Sequence, residues 1–231
     1  MAIVPGQGMG EYCVDIVMCI DATGSMAPII NEVKTNAMSF HERFVEAMEE
    51  NDKDVSQVRV KVIVFRDYMC DSEPMVESDF FVLPEQNAAF RSFVSSIEAC
   101  GGGDKAENAL EAIALAIKSN WTTAGSNRRH AVLVFSDAPA LPLGERADSP
   151  NYPSGMPTSM AQLGAWWEGT DQMFSGTYQR RAGRLVAFVP AVSPWTELKA
   201  WNRYWPAYSD AGTGLKDIDI QQVIALLVGS F

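Results

Sequence analysis

Three oxygen-bearing side chains alternate along the run Asp-Ala-Thr-Gly-Ser: Asp21, Thr23 and Ser25. In a tight turn, alternation brings all three to one side of the backbone. Carboxylate and hydroxyl oxygens are hard donors, suited to Mg²⁺, Mn²⁺ or Ca²⁺ and not to zinc. The same residue types also cap helices, because their oxygens accept from free backbone N–H groups, and Pro28 follows where a first helical turn would begin. Taken alone, the turn supports either chemistry.

Three further carboxylates stand at comparable places. Asp67 and Asp137 each follow an apolar run, 58–65 and 131–136, and Asp104 follows the triplet Gly101-Gly102-Gly103. In open parallel sheets ligands bind beyond the carboxyl ends of the strands, so these acids and Asp21 are aimed at one rim. Asp104 has a capping alternative, with Glu107 three residues on completing a capping box. Asp67 could ligate, accept a hydrogen bond behind the ligands, or pair with Arg66 or another base.

The elements that must position these residues are read from apolar periodicity. Residues 14–20 are apolar and broken only by Asp15, the pattern of a strand covered on both faces. Ile29, Ile30, Val33, Ala37, Phe40, Phe44, Val45 and Met48 recur at helical spacing and predict a long amphipathic helix. Residues 58–65, 131–136 and 185–189 predict further strands, with a short edge strand over 80–83. Helices are expected over 87–99, 110–117 and 160–174, briefly over 196–204, and last from a cap at Asp217 through Ile220, Val223, Ile224 and Leu227. Residues 138–160, rich in Pro, Gly and Ser, read as a long surface loop, a length that points to function. This alternation predicts an α/β fold: three-layer and Rossmann-like, with a mainly parallel central sheet, one antiparallel edge strand and helices on both faces. With no repeat and no change of composition, 1–231 reads as one domain with an N-terminal tail at 1–11.

Together these pieces resemble a von Willebrand factor type A (vWA) domain, over residues 12–231. That family's metal-ion-dependent adhesion site (MIDAS) joins a strand ending in Asp-x-Ser/Thr-x-Ser, a loop with Thr after glycines, and a loop with Asp after a strand. Asp21, Thr23 and Ser25 match the first piece. Gly101-Gly102-Gly103-Asp104, followed by Ala109-Leu110, matches the second in spacing, and the run from Ala131 to Asp137 matches the third. One position departs: Asp104 stands where the family has Thr. A similar loop, with Arg-Asp-Tyr or Arg-Asp-His after the second strand, occurs in vWA domains related to those of alpha-kinases, and Arg66-Asp67-Tyr68 fits that subgroup. The resemblance implies a divalent cation, Mg²⁺ first and Mn²⁺ or Ca²⁺ as alternatives, held by Asp21, Thr23, Ser25, Asp104 and Asp137. It also implies a partner protein whose acidic side chain completes the cation's shell, and a last helix coupled to the metal loops. The extra carboxylate of Asp104 would hold the metal more tightly and lessen the dependence on a partner's acid.

Composition sets the bounds. With 18 basic and 29 acidic side chains the net charge is −11, which disfavours nucleic acid and anionic membranes and favours cations. An apolar share of 47% excludes a disordered chain and allows one sizeable core. No run reaches the ~18–20 apolar residues of a membrane span. Residues 1–10 lack the pattern of a signal peptide, which is expected to be absent or already removed. Cys13 and Cys19 would lie ~20 Å apart on one strand, too far to bridge, whereas Cys70 and Cys100 fall near loops and could meet. Free thiols in a reducing cytoplasm are the expectation. Tyr68, Trp166 and Trp167 could line the rim or pack in the core, and the pairs Arg128-Arg129 and Arg180-Arg181 read as solvated.

Enzyme readings find little support. His41 and His130 are not placed for a Ser/His/Asp relay, and there is no GxSxG elbow. The glycine triplet lacks the Gly-Lys-Ser/Thr of a phosphate loop, and Gly6, Gly8 and Gly10 follow no strand. Thr23 occupies the place where haloacid-dehalogenase-like phosphatases need a second Asp. The expectation is therefore a non-enzymatic, metal-dependent protein-interaction module, cytoplasmic, and by resemblance at home in a bacterial stress or defence system. A scaffold whose cation only stiffens the loops is the alternative, followed by a metal-dependent phosphohydrolase.

Overall fold

A computed structural model describes residues 11–103, 106–209 and 220–231. At its centre is β1 (Tyr12–Asp21), every residue of which is buried. It pairs in parallel with β2 (Val55–Phe65) on one side and β5 (Asn127–Phe135) on the other. β6 (Gly183–Pro190) and β7 (Tyr204–Ser209) continue the parallel sheet outward from β5. On the opposite edge, β3 (Met75–Glu77) and β4 (Phe81–Leu83) both run antiparallel to β2, β4 against its first half and β3 against its last residues. The expected antiparallel edge is thus one edge filled by two short strands.

Alternation along β1 sends Val14, Ile16, Met18 and Ile20 to one face and Val17 and Cys19 to the other. α1 (Ile30–Glu49), α2 (Asn87–Ser96) and α5 (Ile220–Gly229) cover the first face. α3 (Ala109–Lys118) and α4 (Met160–Glu168) cover the second, which gives the three layers. Each fully buried aliphatic side chain of β1 contributes ~1.5–3 kcal/mol. Asp15, the one charge in its apolar run, is matched within the fold. Arg59 grips it with Nε at 2.8 Å, and the Thr122 N–H donates to it.

Several elements differ from the sequence reading. The short helix expected over 196–204 is a 3-10 turn, Glu197–Ala200, followed by the unanticipated β7. Pro206 argues against a strand, but β7 is the sheet's edge, where a missing N–H is tolerated. α4 ends at Glu168, not at 174, because Gly169 turns left-handed at φ +62. α2 ends at Ser96, three residues short of the expected 99. Trp166 and Trp167 are buried in the second core and Tyr68 is buried as well, so none of them lines an open rim. Arg129 is half-buried: its guanidinium lies over the rings of Tyr12 and Phe231, at 5.0 and 5.3 Å. The tail at 1–10, Asp104 and the cap at Asp217 lie outside the described residues. Among the described residues no helix is long and apolar enough to cross a membrane.

The long segment after β5 is tied to α3 and to the loop after β2. The Gly144 N–H and the Tyr152 hydroxyl both donate to Glu111 Oε1, at 3.3 and 3.0 Å. Ser149 Oγ donates to the Tyr68 carbonyl at 2.6 Å, and Tyr68 and Tyr152 pack ring on ring at 5.1 Å.

Candidate metal centre

Register sets the geometry of the rim. Ile20 pairs with Phe135 and Asp21 with Phe65, so β1 ends one residue beyond β5 and level with β2. Asp21 is fully buried there, and its two oxygens are held separately. Oδ1 accepts from the Thr23 N–H at 2.9 Å and from Thr23 Oγ1 at 2.7 Å. Oδ2 accepts from Ser136 Oγ at 2.7 Å. The hydroxyls of Thr23 and Ser25 are 3.2 Å apart, and Ser25 Oγ donates to Asp137 Oδ1 at 2.9 Å. Asp21, Thr23, Ser25 and Asp137 therefore form one continuous group of oxygens, buried on the Asp21 side and open at Ser25, which is exposed.

The capping alternative has no counterpart at this turn. Thr23 stands before a 3-10 turn, Gly24–Met26, without a side-chain cap, and α1 starts after Ile29. Burial is the main cause that pushes the Asp21 carboxyl up to about 6; hydrogen bonds from Thr23 and Ser136 oppose it, and the nearby Asp137 adds to it. Asp137 Oδ2 is buried with no hydrogen-bond partner. A buried carboxylate oxygen of this kind calls for a cation. The donor set of carboxylates and hydroxyls fits a hard divalent ion. Among the described residues no three His, Cys, Asp or Glu side chains gather as a ligand group.

Two further loops brace this turn. The Cys100 N–H donates to the Ala22 carbonyl at 2.9 Å, and the Gly24 N–H to the Gly101 carbonyl at 3.1 Å. The approach explains the glycines. Gly101 and Gly102 have φ of +71 and +81, and a Cβ on Gly102 would meet Thr23 Cβ at 3.2 Å. From the other side, Arg66 spans the rim, with Nε on the Ala22 carbonyl at 3.1 Å and Nη2 on the Glu98 carbonyl at 2.8 Å. Asp67 is fully buried and pairs with Arg146 at 3.4 Å, not with Arg66, while its Oδ1 accepts from the Met69 N–H. These bonds make it a brace between loops and do not reach the oxygens of Asp21, Thr23, Ser25 or Asp137.

Sequence reasoning missed Ser136, Asp71 and Arg146. Ser136 had a readable signal, a hydroxyl immediately before the strand-terminal Asp137. Arg146 and Asp71 had none, because each acts on a loop distant in sequence.

A profile of the family described as von Willebrand factor A domain matches residues 15–143, more than half of the chain. The alpha-protein kinase vwkA of Dictyostelium discoideum is 25% identical over 148 residues, 64% of this chain and 22% of that protein. Two solved structures share the fold. The pilus adhesin SpaC of Lactobacillus rhamnosus GG aligns with TM-score 0.58 and 11% identity, over 95% of this chain and 31% of the adhesin. A von Willebrand factor type A protein of Catenulispora acidiphila aligns with TM-score 0.52 and 13% identity, over 93% of this chain and 42% of its own. The chain thus spans less than half the length of each of these relatives.

Proposed function

The chain belongs to the von Willebrand factor A domain family, and on that premise we propose that it is a protein-interaction module whose rim works through a divalent cation. Asp21, Thr23, Ser25 and Asp137 would hold the ion, with Asp104 as a further ligand from the glycine turn. Mg²⁺ is the first choice for such oxygens, with Mn²⁺ and Ca²⁺ as alternatives. When bound, the ion would supply a Lewis-acidic position able to take an oxygen from outside the chain.

The chain's own residues prepare that position. Thr23 and Ser136 fix the two oxygens of Asp21. Ser25 ties the turn to Asp137 and is exposed to an approaching group. The proposed occupant is an Asp or Glu side chain of another protein. Cytoplasmic location, a place beside kinases and a bacterial stress or defence role belong to the same proposal and rest on family likeness alone. The single observation that carries the metal reading is Asp137 Oδ2, buried and unpartnered at the end of a group of hydroxyls.

A second reading is favoured by the direct braces Gly24 to Gly101 and Cys100 to Ala22, which already join the loops. In it the protein is a scaffold and a cation only stiffens the rim. Calorimetric titration of metal-stripped protein with Mg²⁺, Mn²⁺ and Ca²⁺, with Asp21→Ala as control, tests the site. Titrating the loaded protein with a glutamate-bearing peptide then separates the two readings. Peptide binding that chelator abolishes supports the bridged partner; binding that survives chelation supports the scaffold. No metal binding in the native chain would overturn both.

A further inference from the structure

The Asp71 carboxylate takes no part in the oxygen group, yet it holds the backbone of two loops beside it. Its Oδ2 accepts from the Gly102 N–H and from the Asp67 N–H, each at 3.1 Å. Its Oδ1 lies 1.6 Å from where a Cβ on Gly101 would stand, so the acid packs against a bare Cα. The Asp71 N–H returns to the Asp67 carbonyl at 3.0 Å, which fixes the acid within its own loop. The glycine turn in its turn grips the first loop, through the Gly101 carbonyl on the Gly24 N–H and through Gly102 against Thr23. From Asp71 the path to the first loop is one hydrogen bond from Gly102 and one from Gly24 to the Gly101 carbonyl, and a Cβ on Gly102 would meet Thr23 Cβ at 3.2 Å.

We infer that Asp71 is a positioning residue for the proposed metal centre: its carboxylate fixes the glycine turn beside Thr23. The inference rests on the metal reading above, because it concerns the placing of that site's ligands. Both glycines at positive φ have conformational freedom to spare, so the turn needs an outside anchor. A supporting residue of this kind lowers metal affinity when removed although no ligand is lost.

The test uses the whole chain, stripped of metal. Mn²⁺ affinity is measured by calorimetry and amide exchange at Gly101, Gly102 and Gly103 by hydrogen–deuterium exchange, in the native chain, Asp71→Ala and Asp71→Asn, with Asp21→Ala as ligand control. Asp71→Ala is expected to weaken Mn²⁺ binding about tenfold and to speed exchange at Gly102. Asp71→Asn keeps the shape and one acceptor oxygen, and should stay within about threefold of the native affinity. Unchanged affinity and exchange in Asp71→Ala would overturn the inference. So would equal losses in both variants, which would assign the effect to the lost negative charge and not to position. If the native chain binds no cation, the metal reading fails, and exchange decides by itself. Faster exchange at Gly102 in Asp71→Ala but not in Asp71→Asn supports the anchor, and equal exchange in all three chains overturns it.

Discussion

Ser25 Oγ donates to Asp137 Oδ1 across 2.9 Å, a bond between residues 112 positions apart in the chain. It joins the turn after β1 to the loop after β5, and it occupies only one of the two Asp137 oxygens. Ser25→Ala takes a donor from the buried Asp137 carboxylate, so the metal-free protein should lose about 1–3 kcal/mol and melt several degrees below the native chain. Mn²⁺ affinity should fall about tenfold or more, because a proposed ligand and the tether on Asp137 go together. Calorimetry beside a thermal melt checks both; a drop in the melt with affinity intact would make Ser25 a structural residue only.

Gly101→Ala puts a methyl group into the space of Asp71 Oδ1, at a φ of +71. The left-handed backbone alone costs ~1–2 kcal/mol. The carboxylate can swing away only by giving up the Gly102 and Asp67 N–H groups. The variant should therefore lose about 2 kcal/mol or more in urea unfolding. In an Asp71→Gly background the same substitution should cost less, since only the backbone strain remains. Equal costs in the two backgrounds would show that the contact is relieved without loss.

Much of this rim was legible because strand ends and turn chemistry are local. Asp21 follows an apolar run and precedes Thr and Ser at alternate positions, and Asp137 follows another such run, so each announces itself within ten residues. The parallel order of strands then brings them together without further information. What stayed hidden depends on contacts between loops. Asp67 reads as a rim acid but is turned to Arg146, a residue inside a segment without periodicity. β7 was hidden by its edge position, which lets Pro206 and a mixed composition stand in a strand. The register of Glu111 with Gly144 and Tyr152, which ties down the long loop, has no signature in either segment.

The pair of Asp67 and Arg146 gives a direct measure of that tie. Asp67 is fully buried, while the Arg146 side chain keeps 18% of its exposure and its contacts are 3.4 Å long. Removing the cation leaves a buried carboxylate with the Met69 N–H still on it. Arg146→Ala should cost about 2–3 kcal/mol, somewhat less than breaking a fully buried pair, because the pair is partly solvated. The freed loop over 138–160 should also be cut faster at low dose by chymotrypsin, which can cleave after Leu143. A variant as stable and as protease-resistant as the native chain would show that the tyrosine and Glu111 contacts suffice.

His130 provides a test of stability against pH at the end of the sheet away from Asp21 and Asp137. It is fully buried and stacked on Trp121 at 4.8 Å. The Gln179 N–H donates to Nδ1 at 3.3 Å, which leaves Nε2 to donate to the Thr122 carbonyl at 3.3 Å. The neutral ring satisfies both contacts, whereas a proton on Nδ1 would face an N–H. Burial, above all, and then the charges of Arg128 and Arg59 bring its pKa down from 6.5 to about 4, against the raising effect of the Thr122 bond. A folded pKa below the unfolded one means that the fold favours the neutral ring. The contribution is complete above pH 6.5 and is lost as pH falls from there through about 4. The full difference amounts to about 3 kcal/mol. Urea unfolding at pH 7.5, 6, 5 and 4.5 should show the native chain losing stability over this range faster than His130→Phe, which keeps an aromatic stack but cannot titrate. The variant should be the weaker protein at pH 7.5, with the Gln179 N–H unpaired, and the gap should narrow as the pH falls. Parallel slopes for the two chains would mean that His130 does not titrate between its unfolded and folded values.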